Sequence, residues 1–286
     1  MKSNAFLSVF ITMMMPLFVM MLFVGCTEQQ AVDDVSAERG VPDPSGEFRS
    51  LVEKAKWGDG QAYLRLADCY KEGKGVKKDF LGMLCMTALA YQYHAIDSLE
   101  VYFASMPEDS EFKILLEALG FHTHRLAAES DEIVGRLIHK GSPEGYSLKG
   151  MIALENGDTI EGEKLFKRAA SQGSSFAEIL LCLPDWRSSA NPDIERLESL
   201  ADEIPVANLI LGKIYAGMDD IEPINEDMAV CYFLKADENA YLDMEGAQWL
   251  LSYYRRVGIL PVKGDDILRL KVLAGECDEE ESDCDY

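Results

Sequence analysis

Basic residues and histidines are scarce in this chain. It has four histidines, and its 27 lysines and arginines face 50 aspartates and glutamates, which gives a formal charge of −23. A surface this acidic repels the phosphates of nucleic acids and of anionic lipids, so we do not expect nucleic acid as a partner. The same acidity serves solubility equally well and does not identify a ligand.

Motifs for catalysis and metal binding are also missing. Ser142 lies in a Gly-Ser-Pro-Glu-Gly stretch whose glycine spacing does not fit a nucleophile elbow. The loop 73–78 lacks the spacing of a phosphate-binding loop. His122 and His124 would diverge by about 200° on a helix and could not hold one metal together. We therefore expect no catalytic residue, no cofactor and no metal site.

One long apolar run stands at the N-terminus. Residues 5–24 are apolar except for Ser8 and Thr12, and the run ends at Gly25-Cys26. A small residue directly before a cysteine is similar to a bacterial lipobox, in which the thiol takes a diacylglyceryl group. We predict a signal peptide over 1–25 and lipid attachment at Cys26. An uncleaved anchor is the alternative, because about 20 apolar residues can span a bilayer.

Polar segments flank the expected fold. The polar composition of residues 26–47 predicts a disordered tether with a reach of roughly 25 Å. The acidic run over 277–286 predicts a disordered tail. The folded domain is then expected over 48–276. Thr27 after the lipidated cysteine favours the outer membrane, facing the periplasm, by a sorting rule known for some double-membrane bacteria.

The clearest structural pattern is the stretch QAYLRLADCYKEGKGVKKD. One helical face carries residues at four-residue spacing, namely Ala62, Leu66 and Tyr70. Gly73 suits the left-handed residue that follows a helix, and Asp79 can cap the next one. The stretch predicts a helical hairpin with one apolar side.

This stretch resembles the Sel-one-like repeat family, relatives of the tetratricopeptide repeat. The family pattern A-x-x-x-L-G-x-x-Y-x-x-G-x-G-V-x-x-D is matched at Ala62, Leu66, Tyr70, Gly73, Gly75, Val76 and Asp79. Ala67 departs from it, since the family has glycine there. The resemblance implies an all-α, right-handed solenoid that binds a protein or peptide, and it does not identify the ligand.

Weaker copies of the pattern recur along the chain and predict about six antiparallel helix pairs. Their second helices are expected over 79–105, 125–140, 158–172, 193–203, 225–238 and 265–274. An extra degenerate hairpin around Ala95, Leu99 and Phe103 is the alternative to the long first of these. Because repeat hairpins contact mainly their neighbours, we expect a molecule longer than a compact globule.

The cysteines are spaced irregularly. Cysteine-rich relatives staple each hairpin with regularly spaced pairs, which this sequence does not reproduce. Cys182 and Cys231 are therefore expected as buried free thiols. Cys277 and Cys284, in the short tail, are the pair best placed for a disulfide.

A candidate partner surface lies away from the core stripe of the first helices. It comprises Trp249, Tyr253 and Arg256 in the last clear repeat and Leu64, Asp68 and Lys71 in the first. In relatives this face lines a concave groove, and aromatic and arginine side chains are frequent anchors at interfaces. The alternative for Trp249 is packing against the adjoining hairpin.

These expectations describe a non-catalytic scaffold or adaptor, lipid-anchored in the bacterial cell envelope, that binds an envelope protein or peptide. Two alternatives remain open. One is an envelope hydrolase related to the cysteine-rich relatives associated with β-lactam binding or hydrolysis, although none of the residues matches a catalytic motif. The other is a purely structural lipoprotein.

Overall fold

The computed structural model describes residues 46–97, 99–107, 110–111, 113–115, 127–183, 192–218, 224–258 and 264–276. Within these ranges the regular elements are all α-helices. No helix of the described part is both long enough and apolar enough to cross a bilayer. The predicted signal peptide, Cys26, nearly all of the tether, and the tail with Cys277 and Cys284 lie outside the described residues.

The helices are numbered in chain order: α1 (Gly46–Ala55), α2 (Gly60–Glu72), α3 (Phe80–Gln92), α4 (Leu99–Ala104), α5 (Ala127–His139), α6 (Pro143–Glu155), α7 (Thr159–Ser171), α8 (Ser175–Cys182), α9 (Ile194–Leu200), α10 (Val206–Tyr215), α11 (Glu226–Glu238), α12 (Met244–Val257) and α13 (Gly264–Leu273). The first described helix begins at Gly46, two residues before Phe48.

Side-chain caps explain where several of these helices begin. The carboxylate of Asp79 accepts a hydrogen bond from the N–H of Gly82 at 2.6 Å at the start of α3. A cap of this kind contributes about 1 kcal/mol to stability. α2 ends at Gly73, whose φ of 73° is the left-handed conformation that the sequence predicts. The predicted first hairpin is confirmed.

Successive helices pack together in pairs: α2 with α3, α6 with α7, α8 with α9, α10 with α11, and α12 with α13. The predicted second helices over 125–140, 158–172, 193–203, 225–238 and 265–274 correspond to α5, α7, α9, α11 and α13, with bounds shifted by up to three residues. The described chain is thus an α-solenoid of helix pairs. The weak copy of the first-helix pattern at Phe112 and Leu116 lies partly outside the described residues, which show helix at 113–115.

Glycines let the paired helices approach closely. In three hairpins an aromatic ring of one helix covers a glycine of the other: Tyr70 over Gly82, Phe166 over Gly150 and Phe233 over Gly212. A methyl group placed on Gly212 would stand 2.6 Å from Cδ1 of Phe233, well inside van der Waals contact. The ring is fully buried and cannot swing away. These contacts fix the spacing of each pair.

The predicted long helix over 79–105 is wrong. α3 ends at Gln92, and His94 takes a φ of 58°. The ring of Tyr93 stacks on that of Tyr63 with centroids 5.3 Å apart, which turns the chain back over α2. The short helix α4 follows and contains Leu99 and Phe103. These two residues belong to the degenerate extra hairpin that was the alternative to a long helix.

The first hairpin also contacts the last helices. Three hydrogen bonds, which we call the closing contact, join them. Arg269 Nη1 donates to the Lys56 carbonyl at 3.2 Å, the Tyr93 hydroxyl donates to the Leu273 carbonyl at 3.1 Å, and the Met244 N–H donates to Gln92 Oε1 at 3.4 Å. Successive helices make most of the contacts, as expected, but the closing contact joins the two ends of the array, which the expectation of an elongated molecule did not include. The helices form a closed array.

A buried ion pair reinforces the closing contact. The guanidinium of Arg269 in α13 donates two hydrogen bonds of 2.5 Å to the carboxylate of Asp237 in α11. Their side chains are 10% and 8% exposed. The same guanidinium reaches the Lys56 carbonyl, so one side chain joins α13, α11 and the turn between α1 and α2.

The cysteine predictions are confirmed in part. Cys182 is a buried thiol that forms no disulfide. Cys231 is free but exposed, so its predicted burial is wrong. The reason is that α11 turns Ala229, Phe233 and Ala236 toward the core, which leaves Cys231 on the solvent side.

Candidate functional site

The predicted surface residues of α12 form a continuous stack. The rings of Trp249 and Tyr253 lie 5.5 Å apart with an interplanar angle of 12°. The guanidinium of Arg256 stands 5.7 Å above the centre of the Tyr253 ring. We call these three side chains the α12 ladder. They share one face because residues three and four apart are neighbours on a helix.

The α12 ladder also touches the preceding hairpin. Trp249 packs against Phe233 of α11 with ring centroids 5.4 Å apart, and it is half-buried. Arg256 forms an ion pair of 2.6 Å with Glu226, and the Tyr253 hydroxyl donates to Asp227 at 3.4 Å. Trp249 therefore contributes to packing between hairpins. The side chain of Arg256 remains 59% exposed and can reach a partner.

The equivalent face of α2 is arranged differently. Leu64 is half-buried against the core, and Lys71 pairs with Asp68 along the helix. Tyr102 of α4 lies close enough that the Asp68 carboxylate adds to the rise in its pKa, which burial causes first. Among the described residues, no hydrogen bond, ion pair or ring contact joins this face to the α12 ladder.

A buried lysine positions the start of α12, and the sequence gives no sign of it. Lys213 of α10 is 6% exposed and pairs with Asp243 at 2.6 Å and Glu245 at 2.8 Å. Burial alone would lower its pKa, but the two carboxylates raise it to about 12. Because Asp243 also caps α12, this cation ties the ladder's helix to the preceding hairpin.

The described residues offer little for metal or nucleophilic chemistry. They contain no group of three histidine, cysteine or acidic side chains placed to hold a metal ion. Ser142 is buried at the start of α6, directly before the helix proline, as expected for a helix boundary. His122 and His124 lie outside the described part of the chain.

Comparisons with known proteins add one structural likeness. No protein-family model matches the chain, and no curated protein matches it. One similar solved structure is the crystal structure of a Sel1 repeat protein from Oxalobacter formigenes. It is 20% identical, covers 81% of this chain and 98% of that chain, and has a TM-score of 0.41.

Proposed function

We propose that this protein is a scaffold that binds a protein or peptide through the α12 ladder and is held in the bacterial cell envelope by lipid on Cys26. The observation that supports binding is the ladder itself. A half-buried tryptophan supports a stacked tyrosine and an exposed arginine on a single helix. These residue types are enriched among the anchors of interfaces.

The packing of Trp249 refines the roles within the α12 ladder. Its contact with Phe233 fixes the base of the stack, so the accessible anchors are Tyr253 and Arg256. Arg256 is held by Glu226 in the free protein. A partner that carries a carboxylate can replace Glu226 without leaving the guanidinium unpaired, which favours an acidic or C-terminal group on the ligand.

Removal of the accessible anchors should abolish partner capture. The test is crosslinking in the native host, followed by identification of the attached chains, with wild type, Tyr253→Ala and Arg256→Ala. Both substitutions alter exposed or half-exposed side chains, so we expect the fold to remain and the crosslinked partner to be lost.

Arg255→Ala is the matched control. Arg255 is the neighbour of Arg256 on α12 and is equally exposed, but it pairs with Glu276 on another side of the helix. It should capture the partner as wild type does. If Tyr253→Ala and Arg256→Ala also capture it normally, the assignment of the binding surface is wrong.

Lipid anchoring makes a separate prediction. Cys26 is the thiol beside the apolar export segment, so Cys26→Ser should release the protein from membranes or leave it unprocessed. Detergent partitioning and the mass of the mature N-terminus measure this. A wild-type mature protein without acyl mass would refute the anchor while leaving the binding surface untouched.

The hydrolase alternative predicts a different result. An envelope enzyme that acts on β-lactams through a covalent intermediate would gain mass on incubation with a labelled penicillin. A scaffold would show no such gain and would instead co-purify with a polypeptide.

A further inference from the structure

A carboxyl group is buried in the middle of the chain without a cation. Glu144, in the first turn of α6, is 8% exposed. Its hydrogen-bond donors are two hydroxyls, Ser174 Oγ at 2.5 Å and Ser147 Oγ at 3.3 Å. Among the described residues, no lysine or arginine forms an ion pair with it. A buried charge is costly when no opposite charge accompanies it.

Three helices begin at this point. α6 starts beside Ser142, α8 starts at Ser174, and α3 starts at Asp79. The Ser174 hydroxyl accepts from the N–H of Ala177 at 3.0 Å while it donates to Glu144. The carboxyl of Glu144 is therefore joined directly to the cap of α8.

The first hairpin attaches to the middle of the chain at the same place. The Ser175 hydroxyl donates to the carboxylate of Asp79, the cap of α3. Next to it, the rings of Phe80 and Phe176 pack edge to face with centroids 5.8 Å apart. We call this contact between the starts of α3 and α8 the cap junction.

The charges that face Glu144 are mostly negative. The carboxylates of Asp79 and Glu111 both repel a negative charge on Glu144. Lys78 forms an ion pair of 3.0 Å with Glu111. Burial is the largest cause that raises the pKa of Glu144, to about 7. The two serine hydroxyls lower that pKa, whereas Asp79 and Glu111 raise it further. Ionisation would place a further negative charge beside Asp79 in a buried site.

We infer that Glu144 is a pH-sensitive contact that holds the first hairpin against α8 while protonated and loosens the cap junction when it ionises. The protonated carboxyl is a neutral group that can still accept from the two serine hydroxyls. The carboxylate gains hydration only if the cap junction opens and admits water. Ionisation therefore shifts the population toward an open junction.

The direction of the pH effect follows from linkage. Because the pKa of the folded state lies above that of an exposed glutamate, the closed state binds more protons between about pH 4.5 and 7. The stability that Glu144 contributes is complete below about pH 4.5 and is lost as the pH rises through 7. One unit above the folded pKa, the opening equilibrium of the cap junction should be about tenfold larger than one unit below it.

Hydrogen exchange at pH 6 and pH 8, corrected for the chemical exchange rate, tests this inference. In wild type we expect the protection factors of the backbone amides in Phe80–Gln92 and Ser175–Cys182 to be about tenfold lower at pH 8 than at pH 6. Glu144→Gln, which remains neutral, should remove this difference. Glu161→Gln is the control, because Glu161 is a partly exposed acid in the first turn of α7 that pairs with Lys164 and should leave the difference intact.

Two results would overturn the inference: equal protection at both pH values in wild type, or a pH difference that persists in Glu144→Gln. If Glu144→Gln fails to fold, carboxyl titration of the wild-type protein by carbon-13 NMR decides. A midpoint near 7 for Glu144 supports the inference, and a midpoint near 4.5 rejects it. None of these outcomes depends on the proposed binding surface.

Discussion

Arg269→Ala should lower the free energy of unfolding by about 3–5 kcal/mol, the cost typical of breaking a buried ion pair from one side. The substitution leaves Asp237 buried without its cation and removes the hydrogen bond to the Lys56 carbonyl. Urea unfolding followed by far-ultraviolet circular dichroism measures the loss. The effect is large because both charged groups are about nine-tenths buried.

Two comparisons make the Arg269 result specific. Arg65→Ala breaks an exposed ion pair with Glu47 and should cost at most about 1 kcal/mol. The double variant Arg269→Met with Asp237→Leu removes both charges and should be more stable than Arg269→Ala alone. If Arg269→Ala costs no more than Arg65→Ala, the buried ion pair does not hold the array together.

Gly212→Ala should lower stability by about 2–3 kcal/mol, toward the upper end of the range for overpacking a core. The added methyl group would meet the ring of Phe233 at 2.6 Å, and that ring has no room to move. The helices α10 and α11 must then separate, which weakens the rest of their contact. Thermal or urea unfolding measures the change.

Gly135→Ala is the matched control, with an expected effect of opposite sign. Gly135 lies inside α5, and a methyl group added to it would meet no atom within 4 Å. Alanine favours a helix over glycine by about 1 kcal/mol, so this variant should be somewhat more stable than wild type. If both substitutions changed the stability in the same direction, the close approach of α10 and α11 would be contradicted.

The sequence predicts the individual hairpins well because their signals are local. The spacing of Leu66 and Tyr70, the glycine after α2 and the aspartate before α3 all lie within 20 residues of one another. The end of α3 was missed for a nonlocal reason. The helix ends where the Tyr93 ring stacks on Tyr63 across the hairpin. No glycine or proline near Tyr93 signals this end in the sequence.

The closing contact could not be predicted from spacing. Arg269 and Lys56 are separated by 213 positions, and neither residue type is unusual where it stands. In an array with neighbour contacts alone, Arg269 would be read as an exposed helical charge. Arg269 reaches the Lys56 carbonyl only because the array curves far enough to bring its ends together.

The sequence predicted which residues of the candidate site share a helix face, but not what those residues pack against. Helical spacing puts Trp249, Tyr253 and Arg256 on one face, and the structure shows them stacked. The packing of Trp249 on Phe233 depends on how α12 crosses α11. Glu144 was missed because acids are so common in this chain that one buried carboxyl leaves no trace in the sequence.

The distance between spin labels at Glu53 and Glu276, introduced through noncanonical residues so that native cysteines stay unlabelled, tests the closed array most directly. Both positions are exposed, and Val272 lies against Gly58 between them. The closed array predicts a single separation of about 30 Å or less. An open array of six helix pairs, spaced about 10 Å apart, would place its ends about 50 Å from each other, and that result would contradict the closed fold.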